Sequence, residues 1–246
     1  MAAVAPRAEN VRLFIDMKTI FRRLLGKLTK APKSKELHNI RTELQRIATH
    51  STALYVKEHM SHVSSVSTWH QVHDKAIAEI KTDGLVLEFG VFSGNTINYI
   101  ASKLPDCRVH GFDSFEGLPE FWRDGFGKGF FSTSIPEVLP NVTLHKGWFD
   151  DSIPSFLREI RSDRDQRISY LHVDCDLYSS TKTIFDELEN LINVGTVIVF
   201  DEYFNYDGWE NGEFKAFHEF MGRKKLNYRY ITYNHLHEQV ALLITE

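Results

Sequence analysis

The sequence predicts an α/β fold in which helices cover both faces of a mostly parallel, doubly wound β-sheet. First, from residue 85 onward short apolar runs alternate with helical patterns, which is typical of such a sheet. Second, the last two apolar runs are separated by the short polar link 234–238, which indicates an antiparallel hairpin at the sheet edge. Third, a chain of 246 residues with 42% apolar side chains can bury one large core.

Helices precede the sheet. Amphipathic periodicity predicts three of them, over residues 11–28, 36–60 and 66–81. We therefore divide the chain into an N-terminal helical cap or lid segment, 1–82, and a sheet-containing domain, 83–246.

The sheet-containing domain is predicted to hold five parallel strands and the hairpin. The parallel strands are expected over 85–89, 108–112, 142–145, 168–173 and 196–200, and the hairpin strands over 228–233 and 239–244. The helices between them are expected over 94–103, 152–161 and 181–192. All five parallel strands point their carboxyl ends to one edge of the sheet, and ligands bind at that edge in folds of this class.

The first chemical signal lies where the first parallel strand ends. Glu88 closes the strand, and Gly90 and Gly94 permit a tight turn with close backbone approach before a helix begins near Ser93. An acid before such a turn suits a ligand with a positive group, such as the ammonium of an amino acid. The spacing lacks the G-x-G-x-x-G pattern of dinucleotide-binding sites, which disfavours an NAD oxidoreductase. A plain strand-to-helix turn is the alternative.

The second signal is Asp113, which follows the next strand, 19 residues after Gly94. In doubly wound folds an acid at about this separation accepts hydrogen bonds from ribose hydroxyls. The alternative is that Asp113 only caps a turn. Taken with Glu88 and the glycines, it favours a nucleoside ligand that carries an amino acid tail.

The third signal is a group of acids at the ends of the fourth and fifth parallel strands. Asp174 and Asp176 follow the fourth strand, and Asp201 and Glu202 follow the fifth. The four carboxylates are expected to converge at the sheet edge, because both strands end there. Oxygen-only ligands suit a hard cation, Mg²⁺ or Ca²⁺. Helix and turn capping is the alternative for any one of them.

A series of motifs then occurs in order over residues 85–220: LEFGVFSGN, GFDSFEGLPE, GWFDDSIP, HVDCDLYSST, and VFDEY followed by GWENGEFKAF. Together they resemble the macrocin O-methyltransferase (TylF/MycF/NovP-like) family of class I S-adenosylmethionine-dependent methyltransferases. The resemblance implies a Rossmann-like sheet of seven strands that ends in an antiparallel hairpin. It also implies Mg²⁺-dependent methyl transfer to a hydroxyl of a small molecule or sugar, often of a natural product or glycan. Residues 83–246 would then be the S-adenosylmethionine-binding methyltransferase domain.

The resemblance also implies roles for individual residues in holding the cofactor. The methionine part of S-adenosylmethionine would lie against Glu88, Gly90, Ser93 and Gly94. The ribose would lie against Asp113, with Ser114 and Phe115 beside it, and the adenine would border Asp150.

By the same resemblance, the metal would be held by Asp174, Asp201 and Glu202, and Asp176 would be the general base. His145, near the end of the third strand, is an alternative base. The family commonly has two consecutive Asp where this chain has Asp201 and Glu202. Glu keeps the charge but is one methylene longer, so the metal requirement is an open question at this stage.

Charge and cysteine content bound the remaining expectations. Residues 1–35 carry nine Lys and Arg against two Asp and Glu, a local charge of +7, which leaves −11 on the rest of the chain. An acidic body disfavours a nucleic-acid partner, which needs a basic groove. Two cysteines cannot form a disulfide framework and predict a reduced, cytoplasmic setting. The sequence has no apolar run long enough for a membrane span, and its start lacks a continuous apolar region, so a secretory signal is not expected.

The basic N-terminal helix, 11–28, is open to several interpretations. It is expected to be a cap on the domain or a homodimer contact, and a membrane-surface helix is the less favoured alternative. For the whole chain, the leading hypothesis is an O-methyltransferase of a small molecule or sugar. The alternative is a non-catalytic nucleoside-binding or scaffolding domain that retains the fold.

Overall fold

A computed structural model describes residues 39–160 and 166–246 of the chain. The helices are α1 (Ile40–His59), α2 (Trp69–Ile77), α3 (Asn95–Lys103), α4 (Phe149–Glu159), α5 (Tyr178–Leu188) and α6 (Glu213–Lys224), with a 3₁₀ turn at Trp209–Asn211. The strands are β1 (Ser65–Val66), β2 (Leu85–Phe89), β3 (Val109–Asp113), β4 (Val142–Lys146), β5 (Ile168–Val173), β6 (Val197–Phe200), β7 (Asn227–Asn234) and β8 (Val240–Thr245). The helix predicted over 11–28 lies outside the described residues.

The strands of the described ranges form one eight-stranded sheet in the order β1-β7-β8-β6-β5-β2-β3-β4. The central strands, from β6 across to β4, are parallel to one another. β8 runs antiparallel to both β6 and β7, which forms the C-terminal hairpin. The order reverses at β2, so the first strand-to-helix turn lies at the point where a doubly wound sheet leaves a crevice for ligands.

Both faces of the sheet are buried. One core packs α4, α5 and α6 against the sheet, and its largest fully buried side chains include Phe156, Phe185 and Phe217. The second core packs α2 and α3 against the opposite face, with Val72 and Ile97 completely buried. β5 is buried along its whole length, as expected for a central strand covered on both sides.

The predicted fold class is confirmed. Each of the seven predicted strands is present within two residues of its predicted ends, and so is the antiparallel hairpin. The two-residue strand Ser65–Val66, which pairs parallel with Tyr233 and Asn234, was not predicted, because two residues carry no periodicity. The division of the chain at residue 82 stays a prediction.

Helix α6 was also missed, although its sequence carries a helical pattern. Its buried residues are Glu213, Ala216, Phe217, Phe220 and Met221, which recur with the spacing of one helix face. The buried face begins with Glu213. Because a fully buried glutamate is unusual, the sequence does not show this face as apolar. Among the described residues, none of the helices is both long and apolar enough to cross a lipid bilayer.

Gly111 and Gly222 give a matched pair for testing the packing of the sheet. A Cβ atom at Gly111, in β3, would lie 2.4 Å from Cδ1 of Ile97 and 2.8 Å from Cγ2 of Val91, whereas one at Gly222, in α6, would meet nothing within 4 Å. We expect Gly111→Ala to lower the free energy of unfolding by about 1–3 kcal/mol, because α3 cannot approach the sheet as closely. Gly222→Ala should raise it by about 0.5–1 kcal/mol, because alanine favours the helix. Urea unfolding measures both, and equal effects would contradict the packing.

Candidate functional site

Hydrogen bonding continues for one residue beyond the carboxyl ends of the central strands. The backbone N–H of Asp174 donates to the carbonyl of Phe89 at 2.9 Å, and that of Asp201 donates to the carbonyl of Val173 at 2.9 Å. The loops that leave β2, β5 and β6 therefore begin side by side. This pairing brings Asp174 and Asp201 together, as predicted for residues that follow two parallel strands ending at the same sheet edge.

Gly90 allows the loop after β2 to pass against the loop after β5. Its φ is +93°, and a Cβ atom there would lie only 1.7 Å from the carbonyl oxygen of Asp174. Its N–H donates to the carbonyl of Phe112 at 2.9 Å, which fixes the turn from the other side. No other residue fits this position, because any side chain would overlap the Asp174 backbone.

Asp113 braces the same turn. Its Oδ2 accepts hydrogen bonds from the N–H groups of Val91 and Phe92, both at 2.8 Å, and its Oδ1 accepts from Phe115 N–H at 2.7 Å. An ionised carboxylate has about four acceptor sites, so capacity for one more donor remains. Phe92 has a positive φ of 46°, a strained conformation that these bonds hold in place.

Glu88 and His172 form a buried pair beneath the turn. They lie opposite each other on β2 and β5, and Nδ1 of His172 is 3.0 Å from Oε2 of Glu88. Burial raises the pKa of Glu88, and the hydrogen bond with His172 acts against that rise. The second ring nitrogen, Nε2 of His172, and the second oxygen, Oε1 of Glu88, are buried without a hydrogen-bond partner.

The acids at the sheet edge are crowded enough to disfavour their own ionisation. Burial raises the pKa of Asp174 well above its usual value, and the neighbouring carboxylates of Asp201 and Asp176 raise it further. Burial and the same kind of repulsion raise the pKa of Glu202. For Asp176, burial raises the pKa to about 7 even though Arg123 acts to lower it. Asp176 also has a left-handed backbone, with φ of 66°.

Glu213 joins the two acidic loops, and the sequence interpretation missed it. One carboxylate oxygen accepts the N–H of Cys175 at 3.3 Å, and the other accepts the N–H of Glu202 at 3.2 Å. The side chain is fully buried at the start of α6. It therefore ties the loop that follows β5 to the loop that follows β6.

The chemistry of the edge fits a divalent cation. Among the described residues, His172, Asp174 and Asp201 each place one ligand atom within 4.8 Å of the others. Glu202, the third predicted ligand, is not in that group. Its Oε2 is nevertheless buried and has no hydrogen-bond partner. Crowded carboxylates with raised pKa values and unpartnered buried donor atoms are what a bound cation relieves.

A cavity of about 730 Å³ opens over this edge. Eight residues with predicted roles line it: Gly90, Asp113, Ser114, Asp150, Asp174, Asp176, Asp201 and Glu202. Five others do not: Glu88 and His145 in the strands, and Ser93, Gly94 and Phe115 in the turns. The structure thus brings eight of the thirteen predicted residues to one space, among them the predicted metal ligands and Asp176, and their individual roles stay predictions.

Another wall of the cavity is largely aromatic. The stretch 121–131, which we call the flap, contributes Trp122, Arg123, Phe126 and Phe131 to it. Phe92 and Trp148 line the same space. Arg123 lies over the Trp122 ring at 3.8 Å and donates from Nη1 to both carboxylate oxygens of Glu238, at 3.0 and 3.1 Å.

The alternative base, His145, lies away from the cavity. Its Nε2 is 3.0 Å from Nδ1 of His110, and its ring stacks on Phe112. Burial lowers the pKa of His145, and burial together with the charge of His145 lowers that of His110 to about 4. The two histidines belong to the packing between β3, β4 and α4. Phe156 of α4 contacts the rings of Phe112 and His145 there.

The chain is similar to known methyltransferases. Residues 87–203 match a family model described as a methyltransferase domain. A curated relative from Streptomyces olivaceus, 8-demethyl-8-(2,3-dimethoxy-alpha-L-rhamnosyl)-tetracenomycin-C 4'-O-methyltransferase, is 25% identical over 148 residues. That alignment covers 49% of this chain and 53% of the relative, so the chain matches about half the length of the relative.

Solved structures show the same fold. The calicheamicin methyltransferase CalS11 superposes with a TM-score of 0.58 and 19% identity, over 98% of this chain and 99% of that one. The O-methyltransferase NovP superposes with a TM-score of 0.52 and 20% identity, over 72% and 78%. The resemblance predicted from the sequence agrees with the domain match, and the predicted fold is the one that these solved O-methyltransferases share.

The histidine pair predicts how stability depends on pH. The folded state holds the pKa of His110 at about 4, below its ordinary value of 6.5, so the unfolded chain binds the proton more readily. His110 therefore costs no stability above pH 6.5, and it reduces stability progressively as the pH falls from 6.5 to about 4. We expect the melting temperature of His110→Gln to fall less than that of the wild type across this window. Parallel pH profiles of the two proteins would contradict the burial of a neutral His110.

Proposed function

We propose that this chain is an S-adenosylmethionine-dependent O-methyltransferase that acts on a hydroxyl of a small molecule or sugar. The observation that carries the proposal is that Gly90 and Asp113 line the same cavity as the acid cluster at the carboxyl edge of the sheet. The domain match and the O-methyltransferase relative support the same class of reaction.

The cofactor is assigned to the part of the cavity above β2 and β3. Gly90, with Asp113 and Ser114, lines this part, and Asp150 borders it from the start of α4. Because Gly90 has no side chain, a ligand can approach the backbone closely. Bound S-adenosylmethionine supplies the electrophilic methyl group. Asp113, which already holds the turn through three N–H groups, has the acceptor capacity left that a ribose hydroxyl needs.

The acceptor hydroxyl is assigned to the acidic part. An aliphatic hydroxyl is a poor nucleophile, and a divalent cation lowers the pKa of a hydroxyl that it binds. Asp174 and Asp201, with Glu202 beside them, are the carboxylates placed to hold that cation. Asp176 is the proposed group that takes the proton, because it lines the same cavity and burial raises its pKa to about 7, which suits a general base.

The aromatic wall is assigned to the body of the acceptor. Trp122, Phe126 and Phe131 of the flap provide apolar surface, while Ser179 and Ser180 provide hydroxyls nearby. Cavities with mostly apolar walls and a few placed polar groups are typical of small-molecule sites. The curated relative is named for a rhamnosyl 4'-O-methyl transfer, which supports a sugar as the acceptor of this chain.

Cofactor binding tests the class of function. We expect calorimetry of the full chain to detect binding of S-adenosylmethionine, and we expect a panel of glycosides and polyols to contain one that gains the mass of one CH₂ group. Gly90→Ala, which blocks the turn, is the negative control. Absence of cofactor binding in a folded wild-type protein, with and without a divalent cation, would defeat the proposal in favour of a scaffolding domain.

The base has its own test. Asp176→Asn should lower kcat about 10²- to 10⁴-fold, the range typical of a positioned general base, while the affinity for S-adenosylmethionine stays within error. Asp106→Asn, on an exposed loop, is the matched control and should leave kcat unchanged. If Asp176→Asn turns over at the wild-type rate, proton removal lies elsewhere.

A further inference from the structure

His172 lies beneath the acid cluster and is not explained by the mechanism above. It is fully buried, and its neighbour Glu88 is also fully buried. Because side chains alternate along a strand, His172 and Asp174 point to the same face of β5, and Glu88 shares that face on β2. The cluster therefore extends downward into the sheet rather than ending at the cavity floor.

We propose that His172 is a ligand of the divalent cation together with Asp174 and Asp201, so that the metal site has a mixed nitrogen and oxygen donor set. A nitrogen of His172 lies within 4.8 Å of a carboxylate oxygen of both aspartates, a separation that one ion can bridge with small side-chain adjustments. This inference rests on the proposed metal-assisted methyl transfer and identifies the ion's donors.

The surroundings of His172 are those of a ligating imidazole. Metal-binding histidines almost always donate their other N–H to a carboxylate, backbone carbonyl or water, which fixes the tautomer and orients the ring. Glu88 provides such a carboxylate, at 3.0 Å from Nδ1. The other nitrogen, Nε2, has no hydrogen-bond partner although it is buried, which is an unfavourable state for a polar atom. Coordination would give that nitrogen a partner.

The donor set predicts which metal binds best. Carboxylates alone suit Mg²⁺ and Ca²⁺, whereas an imidazole shifts preference toward transition metals along the Irving–Williams order. A site with one histidine and two aspartates should therefore bind Mn²⁺ more tightly than Mg²⁺. The preference itself is a signature of the nitrogen ligand, because a histidine that only supported the loops would affect both ions equally.

The test uses Mn²⁺ bound to the full chain as a spectroscopic probe. Pulsed electron paramagnetic resonance of the wild-type protein should show hyperfine coupling to a histidine nitrogen. His172→Gln should abolish this coupling, weaken Mn²⁺ binding by about 10- to 100-fold, and reduce the ratio of Mn²⁺ to Mg²⁺ affinity. The matched control is His237→Gln, because His237 lines the same cavity but lies outside the group of ligand atoms. It should retain both the coupling and the ratio.

Several results would overturn the inference. They are absence of nitrogen coupling in the wild type, absence of Mn²⁺ binding, loss of the coupling in His237→Gln rather than in His172→Gln, and equal weakening of Mn²⁺ and Mg²⁺ binding. The wild-type spectrum decides the matter even if His172→Gln does not fold. If the coupling is absent while the protein still binds S-adenosylmethionine and methylates an acceptor, only the ligand assignment fails. If cofactor does not bind, the proposed function fails separately.

Discussion

The concentration of negative charge at the carboxyl edge of the sheet is the constraint on which the rest of the site depends. Asp174, Asp176 and Glu213 lie close enough to the other buried acids that each raises the pKa of at least one of them beyond the effect of burial. Carboxylates this buried are stable only when paired, hydrogen-bonded or bound to a cation. The hydrogen bonds and the ion pair around the edge meet part of this need for partners.

The protein meets part of the requirement with its own groups. Glu213 accepts two backbone N–H groups, and Asp201 accepts a hydrogen bond from the side-chain amide of Gln239 at 3.2 Å. Arg123 pairs with Glu238 and lowers the pKa of Asp176, but not enough to offset the effect of burial on Asp176. These contacts hold the loops in place but leave the inner carboxylates without a counter-charge. A bound divalent cation would offset them, which would link the stability of the edge to the chemistry proposed for it.

The features of the fold and the site that depend on local sequence pattern could be predicted from the sequence. Strand positions follow from apolar runs, and the meeting of Asp174 with Asp201 follows from two parallel strands that end at the same edge. The sequence interpretation missed what depends on contacts between distant segments. His172 and Glu88 are 84 residues apart, and Arg123 and Glu238 are 115 apart, so neither pair carries a spacing signal. Within their strands, His172 and Glu88 are the ionisable residues of largely apolar runs, and these interruptions are the local signs that each has a polar partner.

The position of Glu202 becomes intelligible once His172 is included among the metal ligands. The family resemblance leads one to expect a second aspartate there, and the longer glutamate would be a poor replacement if three carboxylates had to converge on one ion. The structure holds the backbone of Glu202 through Glu213 and leaves its side chain outside the group formed by His172, Asp174 and Asp201. A nitrogen from β5 therefore supplies the donor that a short acid after β6 would otherwise provide. Under this arrangement the extra methylene of Glu202 costs the site little, because its carboxylate is not needed as a third ligand of the ion.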